Sequence, residues 1–342
     1  MKKQIAIRDV ALAAGVSTAT VSRYLNGKFQ SMGENTRLRI EKVIKSMDYK
    51  PNDVARSLRS TKSNTIAVIL SDILNPYSIA ILQGIEEACA EFGYTIFVCN
   101  SKESPLKESE FVEMMMAKRV DGFVINTTGG NDELIVNLAA EIPVVLVGRK
   151  ISKNGKTVNS VSIDNFQGVA LAVDHLLEKR CNSLILLSPP TNRISPRIER
   201  VGAFLALTSQ ANLDNIKSDV HIIEKIQIDR VAEVLSDIFE KKNSADSLGI
   251  IATNGILSLA VLKAVKQLNR TIPADFLFIG FDDTEWSSVT NPSLTVISQP
   301  TYQIGAFAAK KLITSLLQNN ENIDLESLEL PVQLIARDST IN

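Results

Sequence analysis

From Thr65 onward, short apolar runs alternate with amphipathic stretches, and this alternation constrains the fold more than any other feature of the chain. A strand that is apolar along its whole length is typical of a parallel sheet whose two faces are covered by helices. The predicted buried strands are Thr65–Ser71, Tyr94–Asn100, Asp121–Thr127, Pro143–Gly148, Ser160–Asp164, Asn182–Ser188, Val220–Ile223, Leu248–Asn254 and Phe276–Asp282. The pattern predicts an α/β core. Because about 280 residues are too many for one such sheet, it favours two similar lobes.

The segment from Ile7 to Asn26 has a different pattern, which predicts two short helices joined by a tight turn. One apolar face of the first helix is formed by Val10, Ala11 and Ala14. Gly15 can adopt the left-handed backbone that ends a helix, and the hydroxyl of Ser17 can cap the next one. In a DNA-binding helix-turn-helix the second helix enters the major groove, with its first residues toward the base edges. An ordinary helical hairpin is the alternative that this stretch alone leaves open.

The residues up to Lys62 are predicted to contain two further helical segments and a strong positive charge. Glu34 to Tyr49 forms a third amphipathic helix in this prediction, with an apolar face made of Leu38, Ile40, Val43, Ile44 and Met47. After a break at Pro51, residues 52–59 form a brief helical segment that leads into a polar linker. Up to Lys62 there are thirteen Lys and Arg against five Asp and Glu, whereas the whole chain has 37 against 38. Positive charge gathered beside a helix-turn-helix indicates double-stranded DNA as the partner, rather than a merely solvated basic face.

Two motifs near the start of the chain are specific enough to indicate a family. They read V-S-T-A-T-V-S-R-Y-L-N-G at Val16–Gly27 and Y-K-P-N-D-V-A-R-S-L-R at Tyr49–Arg59. From Ile7 to about Ser78 the chain resembles the lactose-repressor (LacI/GalR) family of bacterial transcription regulators, which keep a recognition helix and a hinge helix at these places. The resemblance implies that Leu58 of each of two subunits wedges into the minor groove of a palindromic operator. The implied DNA-binding residues are Thr18, Ala19, Ser22, Arg23, Asn26, Asn52, Ala55, Arg56, Leu58 and Arg59.

The resemblance also implies the domain organisation. An all-α helix-turn-helix domain is expected over residues 1–50, a hinge helix and linker over 51–64, and a core like the periplasmic sugar-binding proteins over 65–342. Lobe 1 of this core is expected at about residues 65–164 and 292–325, and lobe 2 at about 165–291 and 326–342. The chain would then cross between the lobes near Asp164, Asn291 and Glu326.

A small-molecule effector is expected in the cleft between the two lobes, because open α/β sheets bind ligands beyond the carboxyl ends of their strands. Polar side chains stand at or just after several predicted strand ends, and Arg200 lies where members of the family carry an arginine that contacts the effector. Trp286, the only tryptophan, could cover the apolar face of a sugar. For any one of these residues, capping of a turn or a surface salt bridge is the alternative. The implied effector-binding residues are Tyr77, Ser78, Asn126, Arg149, Asp164, Arg200, Asn254, Asp282 and Trp286.

The two arginines of this set favour an acidic effector, because a guanidinium fork suits a carboxylate or a phosphate. The motifs also resemble those of sugar-acid regulators within the family, so we expect a sugar acid such as gluconate or a keto-deoxy-gluconate. A neutral sugar, a purine and a protein corepressor remain alternatives. The chain departs from the family at Gly148, where an aspartate is common, at Ala203, where a glycine is more usual, and at Gly255, where an acidic residue is frequent. These departures reshape the wall of the predicted pocket.

No enzymatic activity, cofactor or metal site is expected from the motifs. Gly155-Lys156-Thr157 resembles only the end of a phosphate-binding loop, since residue 150 is lysine where that loop needs glycine. The three cysteines lack the spacing of a metal site, which favours free thiols in a reducing compartment. No run approaches the roughly 18 apolar residues of a membrane span, and no signal peptide precedes the first helix. We therefore expect a cytoplasmic homodimer that does not associate with membranes; a periplasmic solute-binding protein is the alternative.

Overall fold

The computed structural model describes residues 5–25, 27–30, 32–49, 62–153, 155–209, 216–243, 245–318 and 327–341. It divides the chain into two units, Met1–Ser63 and Asn64–Asn342. Among the helices of these ranges, none combines the length and the apolar character that crossing a bilayer requires.

The first unit contains the predicted pair of short helices and the helix that covers them. Their bounds are Ile7–Ala14 (α1), Thr18–Leu25 (α2) and Glu34–Ser46 (α3). α1 ends at Gly15, whose φ of 62° lies in the left-handed region, and the Ser17 hydroxyl accepts a hydrogen bond from the Thr20 amide at 3.2 Å. The side chains of Val10, Val21 and Ile40 are completely buried. The prediction that Leu38 joins this face is wrong, since Leu38 is 56% exposed; it lies about 200° around the helix from Ile40.

The first lobe of the second unit is built on a six-stranded sheet in which every neighbouring pair is parallel. The strands lie in the order β13-β7-β4-β3-β1-β2. Their bounds are Thr65–Leu70 (β1), Thr95–Asn100 (β2), Gly122–Ile125 (β3), Val144–Val147 (β4), Ser160–Ile163 (β7) and Leu328–Leu330 (β13). Strands β1, β3, β4 and β7 are buried along almost their whole length, as the continuous apolar runs predict.

The second lobe repeats this architecture. Its strands lie in the order β14-β12-β11-β10-β8-β9, and only the edge strand β14 is antiparallel to its neighbour. Their bounds are Ser183–Ser188 (β8), Lys217–Ile222 (β9), Leu248–Ala252 (β10), Leu277–Phe281 (β11), Thr295–Ser298 (β12) and Gln333–Ile335 (β14). A small hairpin, Ser152–Lys153 (β5) with Lys156–Thr157 (β6), contains the Gly155-Lys156-Thr157 motif; Gly155 lies in the turn, and the other two residues form β6. The predicted α/β fold class is confirmed.

Helices connect most of the strands and cover the sheets. Their bounds are Pro76–Glu91 (α4), Pro105–Ala117 (α5), Asp132–Glu141 (α6), Asn165–Glu178 (α7), Ser195–Thr208 (α8), Ile228–Lys241 (α9), Gly255–Gln267 (α10), Glu285–Val289 (α11) and Thr301–Leu317 (α12), followed by a 3-10 turn, Asp338–Thr340. Several begin with a polar residue that follows a strand and caps the helix through its side chain. Asn75 accepts from the Tyr77 amide at 3.1 Å, and Asn254 accepts from the Leu257 amide at 2.8 Å.

The chain crosses between the lobes three times, and two of the three predicted positions are wrong. The first crossing follows β7 at Asp164, as predicted. The second follows β12 rather than lying near Asn291, because β12 was not predicted and pairs with β11 in the second sheet. The third lies between β13 and β14 rather than near Glu326, because β13 adds to the first sheet beside β7. Lobe 1 thus includes residues 328–330, and lobe 2 includes residues 295–298.

Two glycines allow α4 and α12 to pack with their backbones in contact. A Cβ atom at Gly84 would clash with the carbonyl oxygen of Tyr302, and a Cβ atom at Gly305 would clash with that of Ile81. The Tyr302 hydroxyl also donates to Glu87 Oε2 at 2.6 Å across the same crossing. The two helices therefore form one closely packed pair on the first sheet.

Candidate functional site

Helix α2 of the first unit presents the four side chains that the sequence predicted to read DNA. Thr18, Ala19 and Arg23 are exposed and Ser22 is half-buried, while Val21 points into the core of the unit. Positions 18, 19, 22 and 23 share one helical face because a turn takes 3.6 residues. This face can enter a groove without disturbing the packing beneath it. The remaining predicted DNA-binding residues lie outside the described part of the chain; they are Asn26, Asn52, Ala55, Arg56, Leu58 and Arg59.

A cleft of about 560 Å³ lies between the two lobes of the second unit, at the carboxyl ends of the strands. Seven of the nine residues predicted to bind an effector line it. They are Tyr77, Ser78, Asn126, Arg149, Arg200, Asn254 and Asp282. The rule that parallel sheets expose their binding residues at strand ends thus brings most of the predicted set together.

The side chain of Arg200, on α8, is fixed in the cleft by hydrogen bonds and by an aromatic ring. Its Nε donates to Asn165 Oδ1 at 2.8 Å, and its Nη1 donates to the carbonyl oxygen of Thr253. The guanidinium lies 4.1 Å from the ring centroid of Phe281, which is a cation–π geometry. Burial lowers the pKa of Arg200, and the negative charge of Asp282 opposes that shift. Its orientation in the cleft is therefore set by the protein itself.

Asp282 follows β11 and occupies the same end of the cleft. Its φ of 72° lies in the left-handed region, where an aspartate is rare, and it turns the carboxylate toward two donors. The Gly255 amide donates to Oδ2 at 2.8 Å, and the Gln299 side chain donates to Oδ1 at 2.5 Å. Burial raises the pKa of Asp282, whereas Arg200 and these two donors act in the opposite direction. Arg200, Asp282 and Gln299 thus form a polar wall with fixed geometry.

Arg149, after β4, occupies a different environment. Its Nη2 makes one long hydrogen bond, 3.4 Å, to the Ser71 hydroxyl, and its Nη1 has no hydrogen-bond partner within the described ranges. Burial lowers the pKa of Arg149 to about 10, the positive charge of Arg197 adds to that effect, and the carboxylates of Glu103 and Glu108 oppose it. Asn126 lies beside it, accepting from Ser71 Oγ at 2.5 Å and donating to the Val147 carbonyl at 2.8 Å. Asn126 therefore positions Ser71, while Arg149 keeps hydrogen-bonding capacity.

Gly148 makes room for Tyr77 in this cleft. Its φ is 67°, and a Cβ atom at this position would clash with the Tyr77 hydroxyl oxygen. The phenol therefore takes the space that a side chain at position 148 would fill. Burial raises the pKa of Tyr77, so the ring presents a neutral hydroxyl to the cleft.

The structure corrects the placement of two predicted residues. Asp164 does not line the cleft; its carboxylate caps α7 by accepting from the Gln167 amide at 2.9 Å, which is the capping alternative. Trp286 lines a neighbouring space of about 510 Å³ and packs against the apolar core of the second lobe. This space shares Tyr77, Asp282 and Gln299 with the cleft, but Trp286 does not line the cleft itself.

Several residues that line the cleft were not predicted from the sequence. The most informative are Ser71, Arg197 and Gln299. Ser71 follows β1 directly and satisfies the same strand-end rule as the residues that were found. Gln299 follows β12, which was not predicted, so the strand-end rule could not identify it. Arg197 lies one helical turn before Arg200 on α8 and shares its face, which the spacing of three residues indicates.

Comparisons with known proteins agree with this arrangement. The family of bacterial regulatory proteins, lacI family, matches residues 6–52, and the periplasmic binding protein-like domain matches residues 173–340. The chain is 32% identical over 336 residues to the HTH-type transcriptional regulator KdgR of Bacillus subtilis, covering 97% of each protein. It is 33% identical over 339 residues to the HTH-type transcriptional regulator PtxS of Pseudomonas putida, covering 99% of this chain and 97% of the relative. The chain belongs to the lacI family of bacterial regulatory proteins. It is a helix-turn-helix transcriptional regulator, as the motifs predicted.

Solved structures extend the likeness to the whole fold. A lac repressor dimer bound to operator and the anti-inducer ONPF has a TM-score of 0.84 and 24% identity, covering 99% of this chain and 100% of that chain. A periplasmic binding protein/LacI transcriptional regulator from Alkaliphilus metalliredigens, complexed with D-xylulofuranose, has a TM-score of 0.68 and 27% identity. The latter covers 82% of this chain and 100% of that chain. The family fold therefore includes both the first unit and the two-lobed second unit.

Proposed function

We propose that this regulator is a cytoplasmic homodimeric repressor that binds a palindromic operator and releases it when a sugar acid occupies the cleft. The acidic class of the effector is inferred from the charge inside the cleft. Among the described residues that line it, the buried charged groups are two guanidiniums, Arg149 and Arg200, and one carboxylate, Asp282. The other charged residues that line the cleft are partly or fully exposed; they are Asp72, Glu103, Arg197, Glu224 and Lys225. The buried interior of the cleft therefore favours an anion.

The operator-binding half of the proposal rests on the exposed face of α2 and on the relatives. The predicted contacts Thr18, Ala19, Ser22 and Arg23 would meet base edges and phosphates, and Leu58 would wedge into the minor groove. A repressor is further supported by a relative called the ribose operon repressor of Halalkalibacterium halodurans, which is 30% identical over 336 residues. The proposal of a dimer is supported by a solved lac repressor that is a dimer bound to its operator, and a palindrome would offer a two-fold dimer two equivalent half-sites.

A neutral sugar is the second candidate, and the polar wall around Asp282 favours it. Carboxylate and amide side chains make directed hydrogen bonds to sugar hydroxyls. A structural neighbour holds the neutral sugar D-xylulofuranose. The unpartnered guanidinium of Arg149 is the feature that such a ligand would leave unexplained.

The lobes are linked by contacts that a ligand can change at low cost. Lys150 in lobe 1 pairs with Glu199 in lobe 2 at 3.1 Å, and its backbone amide donates to Ser195 Oγ at 2.8 Å. Arg197 and Glu103 form a second bridge at 3.5 Å. Because these ion pairs are partly exposed, each contributes about 0–1 kcal/mol. A ligand that binds one lobe angle more tightly than the other can therefore shift the equilibrium and, through the hinge, the operator affinity.

The test is a fluorescence-anisotropy titration of the full-length protein on DNA from upstream of its own gene, at one stated salt concentration. Gluconate, 2-keto-3-deoxygluconate, glucose and ribose are added in turn. We expect tight binding to a palindrome and a rise in the apparent operator Kd of about 5- to 150-fold with one acid. Release by a neutral sugar alone would select the second candidate, and release by none of the compounds would contradict effector control by sugars.

The variant Leu58→Ala tests the operator-binding half of the proposal. We expect it to weaken operator binding greatly while it leaves ligand affinity unchanged. Leu317→Ala, at an exposed leucine of α12, is the matched control and should keep full operator affinity. Equal operator affinity of Leu58→Ala and the wild type would contradict the wedge assignment.

A further inference from the structure

The cleft continues into a smaller space, which we call the side chamber. The side chamber has a volume of about 280 Å³ and lies between the loop at residues 128–130 of lobe 1 and the lobe 2 residues Asn192, Ile194 and Arg197. Arg149 and Arg197 line both the cleft and the side chamber, as do Glu103, Asn192 and Ile194. The two spaces are therefore neighbours with a common wall of arginine side chains.

One wall of the side chamber is held rigidly by a completely buried carboxylate. Glu108 is 0% exposed, and its Oε2 accepts from the Thr128 amide at 2.6 Å. Its Oε1 accepts from the Thr127 hydroxyl, the Thr128 hydroxyl and the Asn131 amide group at 3.0–3.2 Å. A loop tied down by four hydrogen bonds keeps its shape when a ligand arrives, which lowers the entropy lost on binding.

The glycines of this loop keep side chains out of the side chamber and bring the lobes together. A Cβ atom at Gly129 would lie 3.2 Å from the Asn192 carbonyl oxygen, and Gly129 has a φ of 83°. A Cβ atom at Gly130 would lie 2.5 Å from the Pro105 ring. The charged lining of the side chamber therefore comes from the two arginines and Glu103.

The two arginines differ in how well they are compensated. Arg197 donates to the Pro190 carbonyl at 2.9 Å and lies 3.5 Å from Glu103, whose carboxylate is exposed. Arg149 forms no ion pair with any described residue, since Glu103 and Glu108 attract it only from beyond ion-pair distance, and its one hydrogen bond, to Ser71, is long. A buried guanidinium with free donors costs folding free energy unless a ligand supplies an anion. Because only one weak bond holds it, this guanidinium can turn toward such an anion.

We propose that the side chamber is the subsite for the carboxylate of the effector, with Arg149 as its principal donor. The hydroxylated carbons would then lie in the cleft, against Asn254 and the polar wall of Arg200, Asp282 and Gln299. This inference rests on the proposed function, because it assigns one end of the proposed sugar acid to a place. It also explains how the protein would discriminate against a neutral sugar of the same length, since that ligand would leave Arg149 unpaired.

The test compares ligands that differ only in charge on proteins that differ only at one arginine. Gluconate and gluconamide are titrated by calorimetry into the full-length wild type, Arg149→Gln and Arg193→Gln. Arg193 is an exposed neighbour that does not line the side chamber, so it controls for the loss of one positive charge. We expect Arg149→Gln to lose about 10- to 100-fold in affinity for gluconate and little for gluconamide, while Arg193→Gln keeps both affinities. If gluconate does not bind the wild type, 2-keto-3-deoxygluconate and its amide replace this pair.

The outcomes separate this inference from the proposed function. Equal losses for the acid and the amide, or no loss for the acid, would overturn the subsite even if the acid still releases the operator. Binding of neutral sugars or of glucose 6-phosphate in place of every acid would also overturn it. Operator binding by Arg149→Gln shows that this variant is folded. Failure of the wild type to bind its upstream DNA would contradict the repressor, whereas the difference between acid and amide would still test the subsite.

Discussion

Arg200 and Arg149 are almost equally buried in one cleft, 7% and 9% exposed, yet their guanidinium groups have very different partners. Arg200 has an amide oxygen, a backbone carbonyl, an aromatic face and a nearby carboxylate. Arg149 has one hydroxyl at 3.4 Å, and the carboxylates of Glu103 and Glu108 attract it without forming an ion pair. Burial is thus a poor guide to the role of a charged side chain, whereas the inventory of its partners is informative. A compensated charge belongs to the fold, and an uncompensated one is available to a ligand.

The largest effect is expected from Arg200→Met. The substitution removes two hydrogen bonds and leaves the buried carboxylate of Asp282 without its positive neighbour. We expect the free energy of unfolding to fall by about 2–4 kcal/mol, measured by urea denaturation. Arg193→Met, at an exposed position, is the control and should change it little. An unchanged stability of Arg200→Met would show that Arg200 is no better compensated than Arg149.

The next effect concerns Gly148, which directly precedes Arg149 in the chain. Gly148→Ala adds a Cβ atom against the Tyr77 hydroxyl in a left-handed backbone, so it should cost about 1–3 kcal/mol in unfolding free energy. Tyr77→Phe removes the atom in conflict. In a double-mutant cycle the two changes should couple by about 1 kcal/mol, and strict additivity would show that the phenol moves away freely.

For Arg149→Met, the contrast with Arg200 predicts an increase in stability rather than a loss. Replacing an uncompensated buried cation with an apolar side chain of similar length should raise Tm by about 1–3 °C in the absence of ligand. Differential scanning fluorimetry with and without the effector measures this. A fall in Tm comparable with that of Arg200→Met would make Arg149 a structural residue and would end the contrast between the two arginines.

The smallest effect is a pH dependence that Asp282→Asn should remove. Burial raises the pKa of Asp282 in the folded protein, so its favourable contribution is complete below the unfolded pKa of about 3.8 and is lost as pH rises through the folded value. Asparagine has no such titration, and Gln299 can turn its free Oε1 toward the new amide. Across a pH series of Tm measurements from 4 to 8, the wild type should lose stability relative to Asp282→Asn. A parallel pair of curves would contradict the raised pKa.

The sequence predicted the architecture well because uninterrupted apolar runs determine buried parallel strands. The same rule found Tyr77, Asn126, Arg149, Asn254 and Asp282, since a strand's carboxyl end lies at the mouth of the cleft. It failed for Asp164 because a polar residue after a strand can equally cap the following helix. Both readings have the same local pattern, and only the tertiary structure separates them.

The errors in the lobe boundaries have a different origin. Strands β12, β13 and β14 are only three or four residues long, and their pairing partners lie far away along the chain. So short a run is not distinguished from a loop by its own pattern. The free donor of Arg149 was also beyond sequence reasoning, because it depends on which acceptors the fold brings near that side chain.

The glycine contacts between α4 and α12 bear on which substitutions can give the cleft a new ligand specificity. Tyr77 lies at the start of α4, and Gln299 lies just before α12, so cleft residues are attached to both members of the pair. The contact at Gly84 and Gly305 is made by backbone atoms, so substitutions elsewhere on these helices leave the spacing intact. A mutant library designed to give the regulator a new effector can therefore randomise the cleft freely. Every functional member should retain glycine at these two positions.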